Sequence, residues 1–368
     1  MQTAKPKGFA KIWREIKRPF GQGFRRIVQM NMAVLAIRDS LVNPTFIENL
    51  FENTKPFTSF SQETWNEFLG TKPDEIKNLY DRLVANTDEL SRDVVSYYIV
   101  RRRFCMEHGD NPMWNVFSQF RAVFPYYYEE QERVKSLCEG YKCPYQFPES
   151  SAHAYCVEQM ALGFGLNQFP SEIQTKIADK DIIDGGGFSG DSAMKFTEYK
   201  PRNVYTFEPN PDTIPVMHRT FTANETVLES RKDRIEIVPL ALGKSKGTLT
   251  LCSRGKLDAG ATVSQIESHA SATKTYEIGV ISIDEFEQER ALDVGLIKLD
   301  VEGAEYDTIL GAKETITKQK PLLIISIYHT FKDFFEIKPL IESWELGYKF
   351  AIRQHVPDPD ADFMLIAY

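Results

Sequence analysis

From Asp181 to the C-terminus, short apolar runs alternate with stretches of helical spacing: DIID (181–184), VYTFE (204–208), IEIVPLAL (235–242), LIKLD (296–300), LLIISIY (322–328), YKFAI (348–352) and FMLIAY (363–368). Runs of this length read as strands, and strands that alternate with helices predict a parallel, doubly wound α/β sheet. The last two runs lie close together, joined by HVPDPDAD, and predict an antiparallel hairpin at the end of the sheet. Between 247 and 283 the rhythm breaks. There GTLTLC and TYEIGVISI look extended and flank a Gly/Ser/Ala-rich loop from Ser253 to Ser271, which reads as an inserted hairpin or flap.

The N-terminal part has a different texture. Thr64 to Leu69, Pro73 to Leu83 and Asp88 to Met106 show helical periodicity, with Ser, Thr, Asp or Asn at several starts. The expected division is a mostly helical region over 1–145, of no assignable chemistry, and a Rossmann-like domain over 146–368. Residues 1–26 carry eight cations and one anion, Glu15, with Phe9, Ile12, Trp13, Ile16 and Phe20 interleaved at helix-like spacing. This basic amphipathic segment reads first as a helix docked on its own domain, with an anionic membrane surface or a partner as the alternative. Arg101 to Arg103 read as a solvated face and Phe124 to Tyr128 as packed core.

Composition narrows the classes. A chain of 368 residues, 42% hydrophobic and 26% charged, is long enough for two cores. With 44 basic against 52 acidic residues the formal charge is −8, which disfavours a nucleic-acid partner, because such binding draws on cations set against phosphates. No run approaches the roughly eighteen apolar residues of a membrane span, and no secretory pattern opens the chain, so a cytoplasmic protein is expected. Five cysteines form an odd set without a disulfide framework and are expected as thiols. Cys138, Cys143, His153 and Cys156 fall close together, but their spacing matches no standard zinc motif.

The exit of the first strand carries the chemistry. DGGGFSGDS (184–192) places glycines where the chain must turn from strand to helix, so a nucleotide-like ligand is expected against the backbone. Eighteen residues beyond Gly190 stands Glu208, at the end of the next strand, where a carboxylate can accept hydrogen bonds from both ribose hydroxyls. Gly185, Gly187 and Gly190 satisfy the dinucleotide pattern G-x-G-x-x-G, so an NAD(P)-dependent oxidoreductase is one reading. Asp184 and Asp191 flank the glycines, however, and a carboxylate there suits the ammonium of a methionine moiety and repels a pyrophosphate. Ser192 is placed to cap the helix or bond the ligand's carboxylate. These charges and the terminal hairpin favour S-adenosylmethionine. A non-catalytic scaffold that uses the basic N-terminal helix is a third reading, opposed by the intact glycine loop and Glu208.

DIIDGGGFSGDSA, VYTFEPNP, VPLALG, LIKLDVEGAEYDTILGA (296–312) and LLIISIYH (322–329) together resemble the FkbM family of methyltransferases, over about the last two hundred residues. The resemblance implies a class I Rossmann-like fold and methyl transfer from S-adenosylmethionine to hydroxyls of sugars, glycans or polyketide-type products. The implied cofactor contacts are Asp184, Gly185, Gly186, Gly187, Phe188, Gly190, Asp191, Ser192 and Glu208. Where the family often has Asn, this chain has Phe188.

Methyl transfer to an alcohol is an in-line displacement that needs a base during attack. Asp300, Glu302 and His329 sit at carboxyl ends of strands that open on the same crevice as the glycine loop. His329, with a reference pKa of about 6.5, is the expected base, with Asp300 and Glu302 orienting it or the substrate. Asp300 and Glu302 also suit a divalent cation, but no third ligand is visible in the sequence, so no metal is expected.

Overall fold

The computed structural model describes residues 73–108, 124–148, 157–253, 274–355 and 362–368. The basic segment 1–26, the stretch Thr64 to Leu69, the Gly/Ser/Ala-rich loop beyond Ser253, and His153 and Cys156 therefore lie outside the described residues. The main elements in chain order are α1 (Pro73–Val84), α2 (Glu89–His108), α3 (Pro125–Gly140), α4 (Val157–Ala161), β1 (Asp181–Gly185), α5 (Asp191–Phe196), β2 (Asn203–Phe207), α6 (Ile214–Ala223), β3 (Ile235–Val238), β4 (Ala241–Leu242), β5 (Gly247–Ser253), β6 (Lys274–Ile281), α7 (Ile283–Arg290), β7 (Val294–Leu299), α8 (Glu305–Leu310), α9 (Lys313–Gln319), β8 (Leu322–Ser326), α10 (Phe331–Glu342), β9 (Phe350–Gln354) and β10 (Phe363–Ala367).

Seven strands form one sheet in the order β3-β2-β1-β7-β8-β10-β9. All run parallel except β10, which is antiparallel to both neighbours. This is the doubly wound class I methyltransferase arrangement with its antiparallel closing hairpin, as expected. β1, β7, β8 and β10 are buried at every position, which explains why they read as continuous apolar runs and not as alternating ones. Ile183, Ile297, Leu299, Leu323 and Ile325 face one core layer, and Ile182, Leu296, Ile324, Met364 and Ile366 face the other.

One predicted strand is two. The run IEIVPLAL breaks at Pro239, which has no N–H to donate to a ladder. β3 therefore stays in the main sheet, and β4 pairs with β6 in a separate three-stranded sheet, β4-β6-β5. The expected inserted hairpin is β5 and β6, paired antiparallel from Gly247 opposite Val280 to Ser253 opposite Lys274.

The described helices of the N-terminal third pack onto the β9 edge and share its core: Leu83, Val94, Val95, Tyr98, Phe124 and Tyr127 belong to the same buried cluster as Phe335, Ile352 and Phe363. Phe124 and Tyr127 of the aromatic cluster are packed core, with Tyr97 and Tyr127 stacked at 3.9 Å between centroids, whereas Tyr126 is exposed. Polar contacts fix the docking. Ser91 Oγ accepts from the Ile352 amide at 2.9 Å, and Tyr127 donates to Gln354 at 3.0 Å. Lys338 on α10, fully buried, donates from Nζ to the carbonyls of Arg82 (3.2 Å) and Ala85 (2.7 Å) at the end of α1, and pairs with Glu342 at 2.7 Å. A cation on terminal carbonyls satisfies groups that the helix itself cannot. Replacing Lys338 with Met keeps the apolar stem and deletes the donors. Loss of about 1–3 kcal/mol of stability is expected in urea unfolding, the cost of stranding buried carbonyls.

Candidate active site

The glycine loop leaves β1 and turns into α5. Gly186 (φ +79°) passes so close to β7 that a Cβ there would stand 1.8 Å from the Asp300 carbonyl oxygen, and Gly190 (φ +85°) leaves no room for a Cβ beside Phe221. Both positions require the missing side chain. Phe188 also has positive φ, +42°. Asn tolerates this region far better than Phe, which gives the family's frequent Asn a conformational reason.

The loop spends its amides internally. Gly186 and Gly187 donate to the Phe207 carbonyl at 3.1 and 2.9 Å, Gly190 donates to Gly187 at 2.7 Å, and Phe188 donates to Glu208 Oε2 at 3.0 Å. A loop built to cradle a diphosphate keeps its N–H groups aimed at the ligand. Glu208, just past β2, also accepts from the Asn210 amide at 2.8 Å through Oε1. Each of its oxygens retains a lone pair for a further donor, so the carboxylate can still take two hydroxyls. Burial pushes its pKa up to about 7, against the lowering effect of its two backbone hydrogen bonds and Lys298.

Asp184 is fully buried and engaged with its own fold. Its Oδ2 accepts from Ser192 Oγ (2.8 Å) and Thr206 Oγ1 (2.9 Å), and its Oδ1, which makes no hydrogen bond, lies 3.5 Å from Lys298 Nζ. Ser192 thus serves Asp184 and makes no side-chain cap for α5. Asp191 opens α5, buried, and burial pushes its pKa up to about 6 despite Lys298. Lys298, one step before the end of β7, is the residue sequence reasoning passed over. Its ammonium, 3% exposed, donates to the carbonyls of Gly185 (3.1 Å) and Gly186 (2.9 Å). Burial opposes its charge, yet Asp184, Asp300 and Asp191 hold its pKa above the ordinary lysine value. The pocket behind the loop is a compensated charge network and not a bare ring of anions.

The second set of groups stands one strand over. After β7 the chain makes a tight turn through Asp300, Val301, Glu302 (φ +55°) and Gly303 (φ +98°) into α8. Glu305, fully buried, holds that turn: Oε1 accepts from the Val301 amide at 2.7 Å and Oε2 from the Gly303 amide at 2.9 Å. The same carboxylate lies 2.9 Å from His329 Nδ1. His329 Nε2 then faces Asp300 Oδ1 and Glu302 Oε2, 3.6 Å from each. The three predicted residues thus come together, with Glu305 as a fourth member that the sequence did not single out. Burial depresses the imidazole, but Glu305 and Glu302 more than offset it and raise its pKa well above 6.5. Burial likewise raises Glu302. The surrounding carboxylates therefore favour the imidazolium form of His329.

Asn210 donates to Ser253 at 3.3 Å, and Lys274 and Tyr276 bind Asp212 at 2.7 and 2.8 Å, which ties the β5–β6 hairpin to the loop that follows Glu208. The insertion therefore borders the glycine-loop side of the crevice. No helix among the described residues is long and apolar enough to cross a membrane.

Residues 184–350 match the family described as Methyltransferase FkbM domain. The 2-O-methyltransferase NoeI of Sinorhizobium fredii is 28% identical over 156 residues, a match that covers 39% of this chain and 61% of that protein. The chain therefore spans less than two thirds of that relative. Among solved structures, a methyltransferase FkbM from Methylobacillus flagellatus KT is 18% identical with a TM-score of 0.40, covering 73% of this chain and 64% of its own. An O-methyltransferase from Bacillus cereus in complex with SAH is 13% identical with a TM-score of 0.36, covering 68% and 96%. The residues that match the Methyltransferase FkbM domain, 184–350, hold the glycine loop, Glu208 and the Asp300, Glu302, Glu305 and His329 cluster.

Proposed function

We propose that the protein transfers a methyl group from S-adenosylmethionine to a hydroxyl of a sugar, glycan or other polyhydroxylated acceptor. The observation that carries this reading is the state of the glycine loop: four of its amides are bonded within the protein, while the Glu208 carboxylate beside them keeps lone pairs for two hydroxyl donors. That suits a ribose and leaves little for a diphosphate. The close backbone approach at Gly186 fits an adenosylated amino acid laid over the loop. When bound, S-adenosylmethionine supplies an electrophilic sulfonium methyl group. The protein's own part is to hold the donor at Glu208 and the loop, seat the acceptor hydroxyl at Asp300, Glu302 and His329, and take up its proton in that cluster. Alignment of the reacting atoms contributes much of the remaining rate.

Calorimetric titration of the full chain with S-adenosylmethionine, S-adenosylhomocysteine and NAD(H) tests this directly. Saturable binding of the first two is expected; a nicotinamide nucleotide seated in preference to both would sink the proposal. Hydrogen bonds from ribose hydroxyls favour the charged form of Glu208, so donor affinity should rise roughly tenfold from pH 6 to pH 8 as a group of pKa about 7 ionises. Binding near pH 6.5 should release protons, read from the difference between buffers of unlike ionisation enthalpy. Glu208→Gln should abolish both the pH dependence and the proton release.

The same linkage acts on the ligand-free protein. Burial raises the pKa of Asp191 to about 6 and of Glu208 and Asp362 to about 7. A carboxyl with a raised folded-state pKa contributes stability that is present below the unfolded value, near 4, and lost as pH rises through the folded value. The apo protein should therefore melt higher at pH 5.5 than at pH 8, and saturating donor should narrow that gap.

For the transfer itself, a screen of saccharides and nucleotide-sugars with isotopically labelled methyl donor identifies the acceptor. With that acceptor, Glu302→Gln and His329→Ala should each lower kcat by about 10²–10⁴ while donor affinity stays within about twofold of wild type. Equal losses in donor binding would place these residues in the cofactor site instead.

A further inference from the structure

Ligand atoms of three residues converge beside the glycine loop. His329 Nε2 lies within ion-pair range, 3.6 Å, of both Asp300 Oδ1 and Glu302 Oε2, and ligand atoms of all three residues fall within 4.8 Å of one another. Atoms that share a cation at about 2.0–2.2 Å stand about 3.0–3.6 Å apart at adjacent positions, so the observed spacing needs only small side-chain adjustment to close on one ion. The ring is already set for this. Its other nitrogen, Nδ1, faces the fully buried Glu305 carboxylate at 2.9 Å, the arrangement in which an outer carboxylate fixes the tautomer and turns Nε2 toward a metal.

An independent observation points the same way. Asp362, 4% exposed, enters β10 on the ladder rung opposite Tyr328, next to His329, because the Ile327 amide bonds the Phe363 carbonyl one rung further along. Its Oδ1 accepts from Gln159 at 2.5 Å, but its Oδ2 is buried with no hydrogen bond, as is Oδ1 of Asp300. Buried carboxylate oxygens want a donor or a cation. Asp300, Glu302 and Glu305 all stand within 3.6 Å of the imidazole.

We propose that Asp300, Glu302 and His329 form a binding site for a divalent first-row transition cation, with Glu305 as the positioning carboxylate behind the imidazole and Asp362 as an acceptor for a water on the ion. Three protein ligands leave open positions; that these would take the hydroxyls of the acceptor rests on the O-methylation reading, whereas the cation site itself does not. Imidazole with two carboxylates suits Mn2+ or Zn2+ better than Mg2+ or Ca2+, which prefer oxygen alone. The sequence had offered only two of the ligands; the third lies twenty-seven residues beyond Glu302 and reaches it across the sheet.

The test is titration of the untagged, chelator-treated full chain with Mn2+ alone, followed by electron paramagnetic resonance and calorimetry. One saturable site is expected, with a nitrogen hyperfine coupling that His329→Ala removes. Asp300→Asn should weaken Mn2+ by at least tenfold and Glu305→Gln by about 10–100-fold. Binding of S-adenosylhomocysteine, measured on the same samples, should be unchanged and reports that each variant is folded. Absence of a saturable site for both Mn2+ and Zn2+ in protein that binds S-adenosylhomocysteine overturns the cation site and leaves the methyl-transfer reading standing. So does a site indifferent to Asp300→Asn and His329→Ala. If the cation binds but no adenosyl ligand does, it is the methyl-transfer reading that fails.

Discussion

The Glu305 carboxylate is the point on which the acceptor side of the crevice depends. It is fully buried at the first position of α8, accepts the Val301 and Gly303 amides, and lies against His329 Nδ1. Those contacts join the exit of β7 and the start of α8 to the exit of β8, more than twenty residues further along the chain. A charged acceptor bound by two amides contributes about 1.5–3 kcal/mol per bond, enough to hold a turn in which Glu302 sits at positive φ. Without it the turn would relax and Glu302 would no longer face the imidazole. Asp333 extends the brace, since its carboxylate accepts from the Tyr306 amide and from Thr330 Oγ1 at the N-cap of α10.

On the donor side the compensating group is Lys298. The sequence suggested that Asp184 and Asp191 present bare negative charge to the ligand. In the fold, Asp184 is bound by two hydroxyls and sits beside a buried ammonium that also grips the carbonyls of Gly185 and Gly186. The discrimination between a sulfonium and a diphosphate therefore shifts from net charge to hydrogen-bond supply. An anion needs free donors, and four of the loop's amides are already bonded. Lys298 also bridges the two halves of the crevice, because it touches the loop on one side and feels Asp300 on the other.

The strands were legible because burial on both faces makes each one a nearly unbroken apolar run, and the order of runs and helices implied the winding. Pro239 carried the information that IEIVPLAL must break, but the length of the run concealed it. The helices over 73–108 were legible from periodicity, whereas their attachment was not. Ser91 meets Ile352 and Lys338 meets Arg82 across more than 250 residues of chain, and no local pattern encodes such a contact. The cluster at the strand exits shows the same division. Asp300, Glu302 and His329 announced themselves by lying at strand exits. Glu305 and Lys298 did not, since a sequence shows that a charge exists and not which buried partner receives it.

One device appears twice around the crevice and accounts for its rigidity. Phe188 and Glu302 are both L-residues with positive φ, at +42° and +55°. Such positions cost on the order of 1–3 kcal/mol and persist only where the surroundings hold them. Beside each stands a buried glutamate that accepts backbone amides: Glu208 takes the Phe188 amide, and Glu305 takes the amides on either side of Glu302. The carboxylates that hold the strained backbone also line the crevice, Glu208 beside the glycine loop and Glu305 against His329. Cost and function are thereby coupled: a substitution that relaxes either turn also removes the hydrogen bonds that aim the site, so the strain is retained as a condition of pre-organisation.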